Sequence, residues 1–450
     1  MSNKILKKSE NDTFLTRLFL NALNKVGAAN KSEGLKSFLL HVAPRIFRLV
    51  TGIIGGAVVT RHLGPENFGV FAFANMVAAW ACCLLQIGSL EVLTKNTAVN
   101  SAKIPKQLQI GLLFRFLGSL PAMGIILISS IWFGHLSLYS ILALLPLTLV
   151  PDAVEAVFFG RSQFHQTALS RMAVSATGLA ARLILVFYGA GMEGFAWITV
   201  GEGLILGSLM IWKGRKMFRA QKDKEPCSWR SFLNQSLPLV AVAVVVGLAL
   251  RLDQFILQAC RPGPEVGYYL VVVRLFEMGN ILIPSLLAVL LPDLARWQHL
   301  AIDEYQGKMV RLYTLTYRWG FLASCLLSLL APLVIPILFG DSFRASIPIF
   351  MAYAFTFPSF LIGNIRAMDF LIRGQNEHHL IVILCLVPIQ IPLCWWMATW
   401  AGPLGMALAM VAVTFISTTL FSLVLPPLRD VGRLQMLALK SVFRPLTQKN

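Results

Sequence analysis

Apolar residues in this chain come in blocks as long as a membrane is thick, and no other feature narrows its fold as much. A hydrocarbon core about 30 Å thick is crossed by a helix of roughly 20 apolar residues. Turn residues and charges mark out twelve such blocks, near 37–60, 69–93, 108–132, 136–160, 170–189, 194–212, 236–259, 268–292, 311–337, 345–372, 379–400 and 404–426. With 56% hydrophobic and only 13% charged residues, a water-soluble fold would have no interior large enough to hide them. The sequence therefore predicts an all-α polytopic membrane protein of about 12 transmembrane helices. Pro146 and Pro151 in the fourth block, and Pro348 and Pro358 in the tenth, predict breaks there, since proline removes a helical hydrogen bond.

A net charge of +18 would suggest a nucleic-acid partner for a soluble protein, but its placement says otherwise. Lys and Arg beyond or at the edges of the apolar blocks number 28 on one set of alternate loops and flanks, against Arg61, Arg261 and Arg344 on the other. The positive-inside bias then puts both termini and the basic middle loop in the cytoplasm, and no nucleic acid is expected as partner. The corresponding organisation is a basic leader over 1–36, a six-helix bundle over 37–212, a basic linker over 213–235, a second six-helix bundle over 236–426 and a basic tail over 427–450. Phe14, Leu15, Leu18, Phe19, Ala22, Leu23 and Val26 recur at helical spacing in the leader, as in a helix lying on the membrane surface. The seven cysteines sit mostly within apolar blocks and form no C-x-x-C pair, so they read as small buried residues.

The two halves carry a repeat. Gly64-Pro65-Glu66 with Gly69 follows the first block, and Gly263-Pro264-Glu265 with Gly267 follows the seventh, with Pro65 and Pro264 199 residues apart. Six blocks precede the basic middle loop and six follow it, so both halves start on the same face. The predicted relation is a parallel pseudo-repeat of two bundles, the arrangement in which many transporters rock one bundle against the other.

Charges inside the blocks are the candidate functional groups. An arginine at the bilayer centre costs about 2.5–3.5 kcal/mol on insertion scales and turns toward protein or a watery cavity. Arg45, Arg48, Arg115, Arg182, Arg251, Arg274, Arg318 and Arg366 lie there, with Glu91, Asp152, Glu155, Glu202, Asp253, Glu277, Asp293 and Asp369. Arg274 with Glu277 and Arg366 with Asp369 are spaced to share a helix face and neutralise one another, and Arg251 adjoins Asp253. Arg45, Arg48, Arg115 and Arg182 have no acidic neighbour at such a spacing. Their guanidinium groups either snorkel to lipid phosphates or line an inward-facing cavity that binds a phosphorylated anion. On the second reading the substrate-binding candidates are Arg45, Arg48, Arg251 and Arg274. Asp152, Glu155, Asp253 and Glu277 are the candidates for a coupling ion or charge pair. The histidines and cysteines show no metal-ligand pattern, and neither a catalytic constellation nor a cofactor motif is present.

The stretch Thr60-Arg61-His62-Leu63-Gly64-Pro65-Glu66-Asn67-Phe68-Gly69 resembles the opening pattern of the polysaccharide-biosynthesis membrane proteins. These are the O-antigen and exopolysaccharide flippases of the multidrug/oligosaccharidyl-lipid/polysaccharide exporter superfamily. Asp152 to Arg161, Leu250-Arg251-Leu252-Asp253, Val266 to Pro292 and Leu338-Phe339-Gly340-Asp341 extend the similarity over about residues 40–370. The resemblance implies alternating access and a polyprenyl-pyrophosphate-linked oligosaccharide as substrate, moved across a bacterial inner membrane for cell-surface polysaccharide biosynthesis. Membrane lipids and a polysaccharide polymerase or export machinery are the further partners it implies. A cation-coupled drug antiporter of the same superfamily is the first rival reading, with Asp152, Glu155 and Asp253 as its cation ligands. A peptidoglycan-precursor flippase would usually carry two more helices. A membrane-embedded polymerase would need a sizeable loop opposite the basic face, and the loops there are short.

Overall fold

The computed structural model describes residues 31–86, 90–99, 104–161, 163–218, 229–280, 294, 296–297, 302–375 and 377–442, and regular structure among them is helical throughout. The first half comprises α1 (Lys31–Ala81), α2 (Leu90–Val99), α3 (Ile104–Phe133), α4 (Leu136–Leu142), α5 (Leu145–Thr148), α6 (Asp152–Gly160), α7 (Phe164–Phe187) and α8 (Met192–Phe218). The second comprises α9 (Trp229–Ala249), α10 (Leu252–Cys260), α11 (Pro264–Asn280), α12 (Ile302–Phe339), α13 (Ser346–Tyr353), α14 (Phe357–Ile372), α15 (Glu377–Phe415), α16 (Phe421–Val424) and α17 (Arg429–Ser441). The predicted leader helix over residues 14–26 lies outside the described residues.

Nine helical stretches among the described residues are long and apolar enough to cross a membrane. Two of them, Ile46–Gln86 and Leu380–Val424, have 41 and 45 residues, about 60 and 70 Å at 1.5 Å per residue, roughly twice one crossing. Both are broken. Gly64 takes φ 71° inside α1, and Ala401 and Gly402 leave the helical region inside α15, Gly402 with φ 56°. Arg48 and Asn75 line one cavity, although an unbroken helix would hold them about 40 Å apart, so the chain folds back at Gly64. The expected twelve crossings are not counted out by the described residues, because 281–293 fall outside them. The prolines act as expected in the fourth block, which is divided into α4, α5 and α6, and in the tenth, divided into α13 and α14. The seventh also breaks, at Leu250 and Arg251, where no proline signals it.

The short loops expected on one face are joined there by direct contacts. His62 Nε2 lies 2.9 Å from the Ala190 carbonyl, Ser137 donates to Glu193 at 3.0 Å, and Arg261 donates to the Thr399 carbonyl at 2.9 Å. His62 and Arg261 are equivalent under the 199-residue offset. Each bonds the terminal carbonyl region of the fifth crossing of its own half, which supports the parallel repeat at atomic detail. Arg61 reaches into the other half, donating from Nε to the Leu338 carbonyl at 2.9 Å and from Nη2 to the Pro336 and Ile337 carbonyls. Those carbonyls belong to the last turn of α12, where the Pro336 carbonyl also accepts from Gly340 N at 2.9 Å and the helix dipole favours a cation. The third exception to the charge bias, Arg344, pairs with Asp341 at 2.9 Å. All three are thus held by partners on this face.

Packing follows membrane rules, in which small residues let backbones approach. On α8, a Cβ at Gly203 would lie 2.2 Å from Thr148 Oγ1 and one at Gly214 would lie 2.5 Å from Val154 Cγ1. Large apolar side chains face outward, and Trp132, Phe187, Tyr188 and Trp400 form an exposed aromatic girdle at the short-loop face, as expected at a membrane boundary. Of the described cysteines, Cys394 is buried, whereas Cys325 and Cys385 are exposed on the apolar surface, which corrects the expectation that the cysteines are buried. The basic tail is not featureless either. Its first part forms α17, whose Val431, Leu434 and Ala438 are buried, and Arg318 donates to the Ser441 and Val442 carbonyls at its C-terminus at 3.0 and 2.9 Å.

Arg366 holds the second half together. It is 2% exposed, and its Nη1 donates to the Ser417 and Thr418 carbonyls at 2.6 and 3.3 Å and to Ser422 Oγ at 3.0 Å. The two carbonyls belong to a π-helical segment, Ile416–Leu420, and Ser422 to α16 directly after it; the displaced carbonyls need donors in an apolar setting. Replacing Arg366 with Ala should cost about 2–3 kcal/mol, the loss of charge-assisted hydrogen bonds that leaves buried carbonyls without a donor. A melting temperature in detergent lower than wild type by several degrees checks this.

Candidate functional site

A glycine-rich stretch of α1, Thr51-Gly52-Ile53-Ile54-Gly55-Gly56, thins that helix where both halves meet. A Cβ at Gly56 would lie 3.5 Å from Met278 Cε of α11, and one at Gly55 would lie 3.4 Å from Arg182 Cδ of α7. The space beside it is a cavity of about 310 Å³ lined by Arg48, Asn75, Ser175, Arg182, Thr199, Glu202, Arg274 and Met278, among others. Its wall carries three guanidinium groups and one carboxylate.

That carboxylate is committed. Arg182 Nη1 and Nη2 donate to Glu202 Oε1 and Oε2 at 2.6 and 2.8 Å, a two-pronged pair joining α7 to α8. Gly178, one turn before Arg182, makes room for it: a Cβ there would lie 1.5 Å from Glu202 Oε1. Arg274 makes no hydrogen bond or ion pair among the described residues, and Arg182, Glu202 and Glu277 are the charges that act on it most. A guanidinium in an apolar membrane protein without a paired carboxylate is a strong demand for an anion.

The candidates from sequence separate into groups. Arg48 and Arg274 come together in the cavity. Arg251 does not line it, and instead lies 3.5 Å from Glu277. The side chain of Arg45 is outside the described structure. Two expected pairings are corrected. Glu277 pairs with Arg251 and not with Arg274, and Asp369 pairs with Arg373 at 3.0 Å and accepts from Tyr305 at 2.6 Å, leaving Arg366 to backbone carbonyls. In both cases a partner on a neighbouring turn or helix offers better geometry than the i,i+3 neighbour. Glu155 is held by Arg171 through both oxygens, with Arg115 and Asp152 completing a buried cluster of two cations and two anions in the first half. Asp253 is 1% exposed. Its Oδ2 accepts from the Tyr269 hydroxyl at 2.5 Å, and its Oδ1 is buried with no hydrogen-bond partner among the described residues. Among the described residues no group of three or more His, Cys, Asp or Glu could hold a metal ion.

Sequence reasoning did not place Arg182 with Glu202. The signal was partial: the two lie in consecutive antiparallel helices but at depths about 7.5 Å apart, an offset that two long side chains bridge. Arg182 is five residues before the end of α7 and Glu202 ten residues after the start of α8.

Comparison with known proteins gives the wider setting. The family model described as "Polysaccharide biosynthesis protein" matches residues 35–298. Lipid II flippase MurJ in an inward closed conformation superposes with a TM-score of 0.67 at 14% identity, covering 90% of this chain and 92% of that one. A multidrug resistance MATE family transporter of the MOP superfamily, in an inward-facing conformation, gives 0.68 at 14% identity over 90% and 99%. A MOP superfamily transporter from Pyrococcus furiosus Vc1 (DSM3638), for which reverse polarity of the binding pocket suggests a different function, gives 0.55 at 12% identity over 88% and 96%. No curated protein sequence matches the chain. The fold is that of this group of membrane transporters.

Proposed function

Because this chain belongs to the polysaccharide biosynthesis protein family, we propose that it is an alternating-access flippase for a polyprenyl-pyrophosphate-linked oligosaccharide, serving cell-surface polysaccharide synthesis in a bacterial inner membrane. The observation that carries this reading is Arg274, a cation without a partner among the described residues, in a wall of three guanidiniums and one carboxylate. A pyrophosphate diester brings two negative charges and many acceptor oxygens to such a wall, and guanidinium forks match them. The volume of about 310 Å³ is near the lower limit of small-ligand pockets, enough for the charged headgroup while the prenyl tail remains in lipid. The sugar portion then requires the cavity to widen as the bundles part.

Direction follows from the same chemistry. The basic face is the cytoplasmic one, where the lipid-linked precursor would be collected, and the contacts of Arg61, Gly69 and Gly267 close the opposite side. Arg48 and Arg274 bind the headgroup in this scheme. Arg251 and Arg45 remain substrate-binding candidates. Asp253, whose Oδ1 has no partner among the described residues, is the candidate for the coupling ion, ahead of Glu155, which pairs with Arg171, and of Asp152. A drug antiporter exporting organic cations would call for the opposite wall polarity, which is why that reading comes second.

A strain lacking the gene should accumulate pyrophosphate-linked oligosaccharide on the cytoplasmic leaflet and lose its surface polysaccharide, with the wild-type gene reversing both. Mass analysis of the accumulated lipid would identify the sugar. Normal intermediates together with normal surface polysaccharide would refute the flippase reading and favour the antiporter.

A further inference from the structure

We infer that Glu202 is a resident stand-in for the substrate's phosphate: it occupies an anion seat formed by Arg182 and the Gly178 notch, and the incoming headgroup displaces it. The inference rests on the anionic-substrate reading above and adds how the empty cavity is held and how it selects.

Three observations lead there. First, the pair is in the cavity wall and not between lipid-facing helix surfaces: Arg182, Glu202, Ser175 and Thr199 all line the space that Arg274 enters. Second, the seat is shaped. Gly178, Ser175 and Arg182 share one face of α7, and Glu202 Oε1 lies in the volume that any side chain at 178 would fill, 1.5 Å from its Cβ position. Third, the fork in which both Arg182 nitrogens meet both carboxylate oxygens, at 2.6 and 2.8 Å, is the geometry in which a guanidinium holds two phosphate oxygens. Glu202 and a phosphate therefore compete for the same donors.

A carboxylate in that seat has two effects. It offsets the mutual repulsion of Arg182 and Arg274 when no substrate is bound, so the empty protein can close without two bare guanidiniums facing each other. It also sets a threshold for the ligand. A monoanion replaces one charge with one and gains little, whereas a pyrophosphate diester brings a second charge for Arg274. The seat thus favours pyrophosphate-linked over monophosphate-linked lipids, and a released Glu202 is ready to expel the headgroup when the cavity opens on the far side.

The test is equilibrium binding of farnesyl pyrophosphate and farnesyl monophosphate, each as its glucosyl diester so that they carry two charges and one, to the purified full-length protein in detergent, for wild type, Glu202→Gln, Gly178→Ala and Arg274→Gln. Glu202→Gln keeps the shape and removes the competing charge. It should bind farnesyl pyrophosphate about tenfold more tightly, the scale of one charge-assisted hydrogen bond, and discriminate less against the monophosphate. Gly178→Ala retains every charge and pushes Glu202 off Arg182, so it should also bind more tightly and serves as a second measure if Glu202→Gln folds poorly. Unchanged or weaker binding in these variants, with wild type binding and Arg274→Gln not binding, would overturn the stand-in role while leaving the anionic substrate in place. Failure of wild type to bind farnesyl pyrophosphate at all would overturn the substrate reading itself.

Discussion

Replacing Arg274 with Gln is expected to lower transport of the lipid-linked substrate roughly a hundredfold, the consequence of losing about 2–3 kcal/mol of charge-assisted hydrogen bonding. Arg182 spends its fork on Glu202, so Arg274 is the guanidinium whose hydrogen-bonding capacity is open to a ligand. Insertion should be unaffected, because Gln removes a desolvated cation and leaves no buried acceptor without its donor among the described residues. Arg274→Lys should recover part of the loss, since an ammonium supplies charge without the planar fork. Translocation in proteoliposomes, normalised to folded protein by size-exclusion chromatography, is the measurement. Transport by Arg274→Gln within threefold of wild type would remove the cation from the binding site.

Much of this arrangement was legible before any coordinates. The apolar blocks specified the class because the bilayer fixes a length and the chain repeats it. The alternation of Lys and Arg predicted the face on which Arg61, His62, Ser137, Glu193, Arg261 and Thr399 now meet through direct contacts. Gly-Pro-Glu marked the repeat for a local reason, since both turns take positive φ at their glycine, 71° at Gly64 and 105° at Gly263. What was not legible was the partner of each intramembrane charge. Sequence spacing favoured Arg366 with Asp369, but Arg366 caps a π-helical segment about fifty residues away, and no pattern along one helix announces a bulge in another. Likewise Arg251 was grouped with Arg48 as a substrate-binding candidate, and beside the break at Leu250 and Arg251 it pairs with Glu277 and does not line the cavity. Pairing long charged side chains on consecutive crossings, with an offset of about 7.5 Å allowed, would have joined Arg182 to Glu202 and is the reading that sequence permits beyond i,i+3 and i,i+4 rules.

The closed short-loop face leads to the other large effect. The two repeat turns pack backbone to backbone: a Cβ at Gly267 would lie 1.9 Å from the Pro65 carbonyl oxygen, and one at Gly69 would lie 2.9 Å from Gly267 N. Unlike a flexible side chain, these backbone atoms have nowhere to move except apart. Gly267→Ala should therefore separate Gly64–Gly69 from Gly263–Gly267, and with them Phe343, which is fully buried between Phe68 and Tyr268 with ring centroids at 6.0 and 6.2 Å. Arg61 opposes the separation through the carbonyls of α12, yet exposed hydrogen bonds of this kind offset only a few kcal/mol. Moving a two-state equilibrium from 1:99 to 99:1 takes about 5.5 kcal/mol, and a hard backbone overlap of more than 1 Å is of that order. In a cysteine-free background carrying Phe343→Cys, a membrane-impermeant thiol reagent should label the Gly267→Ala protein at least about tenfold faster than its Gly267 counterpart, while transport falls in parallel because the return to the closed face is blocked. Equal labelling rates with transport retained would mean that this face accommodates the added methyl without opening, and that the glycine pair is not what holds the two halves shut.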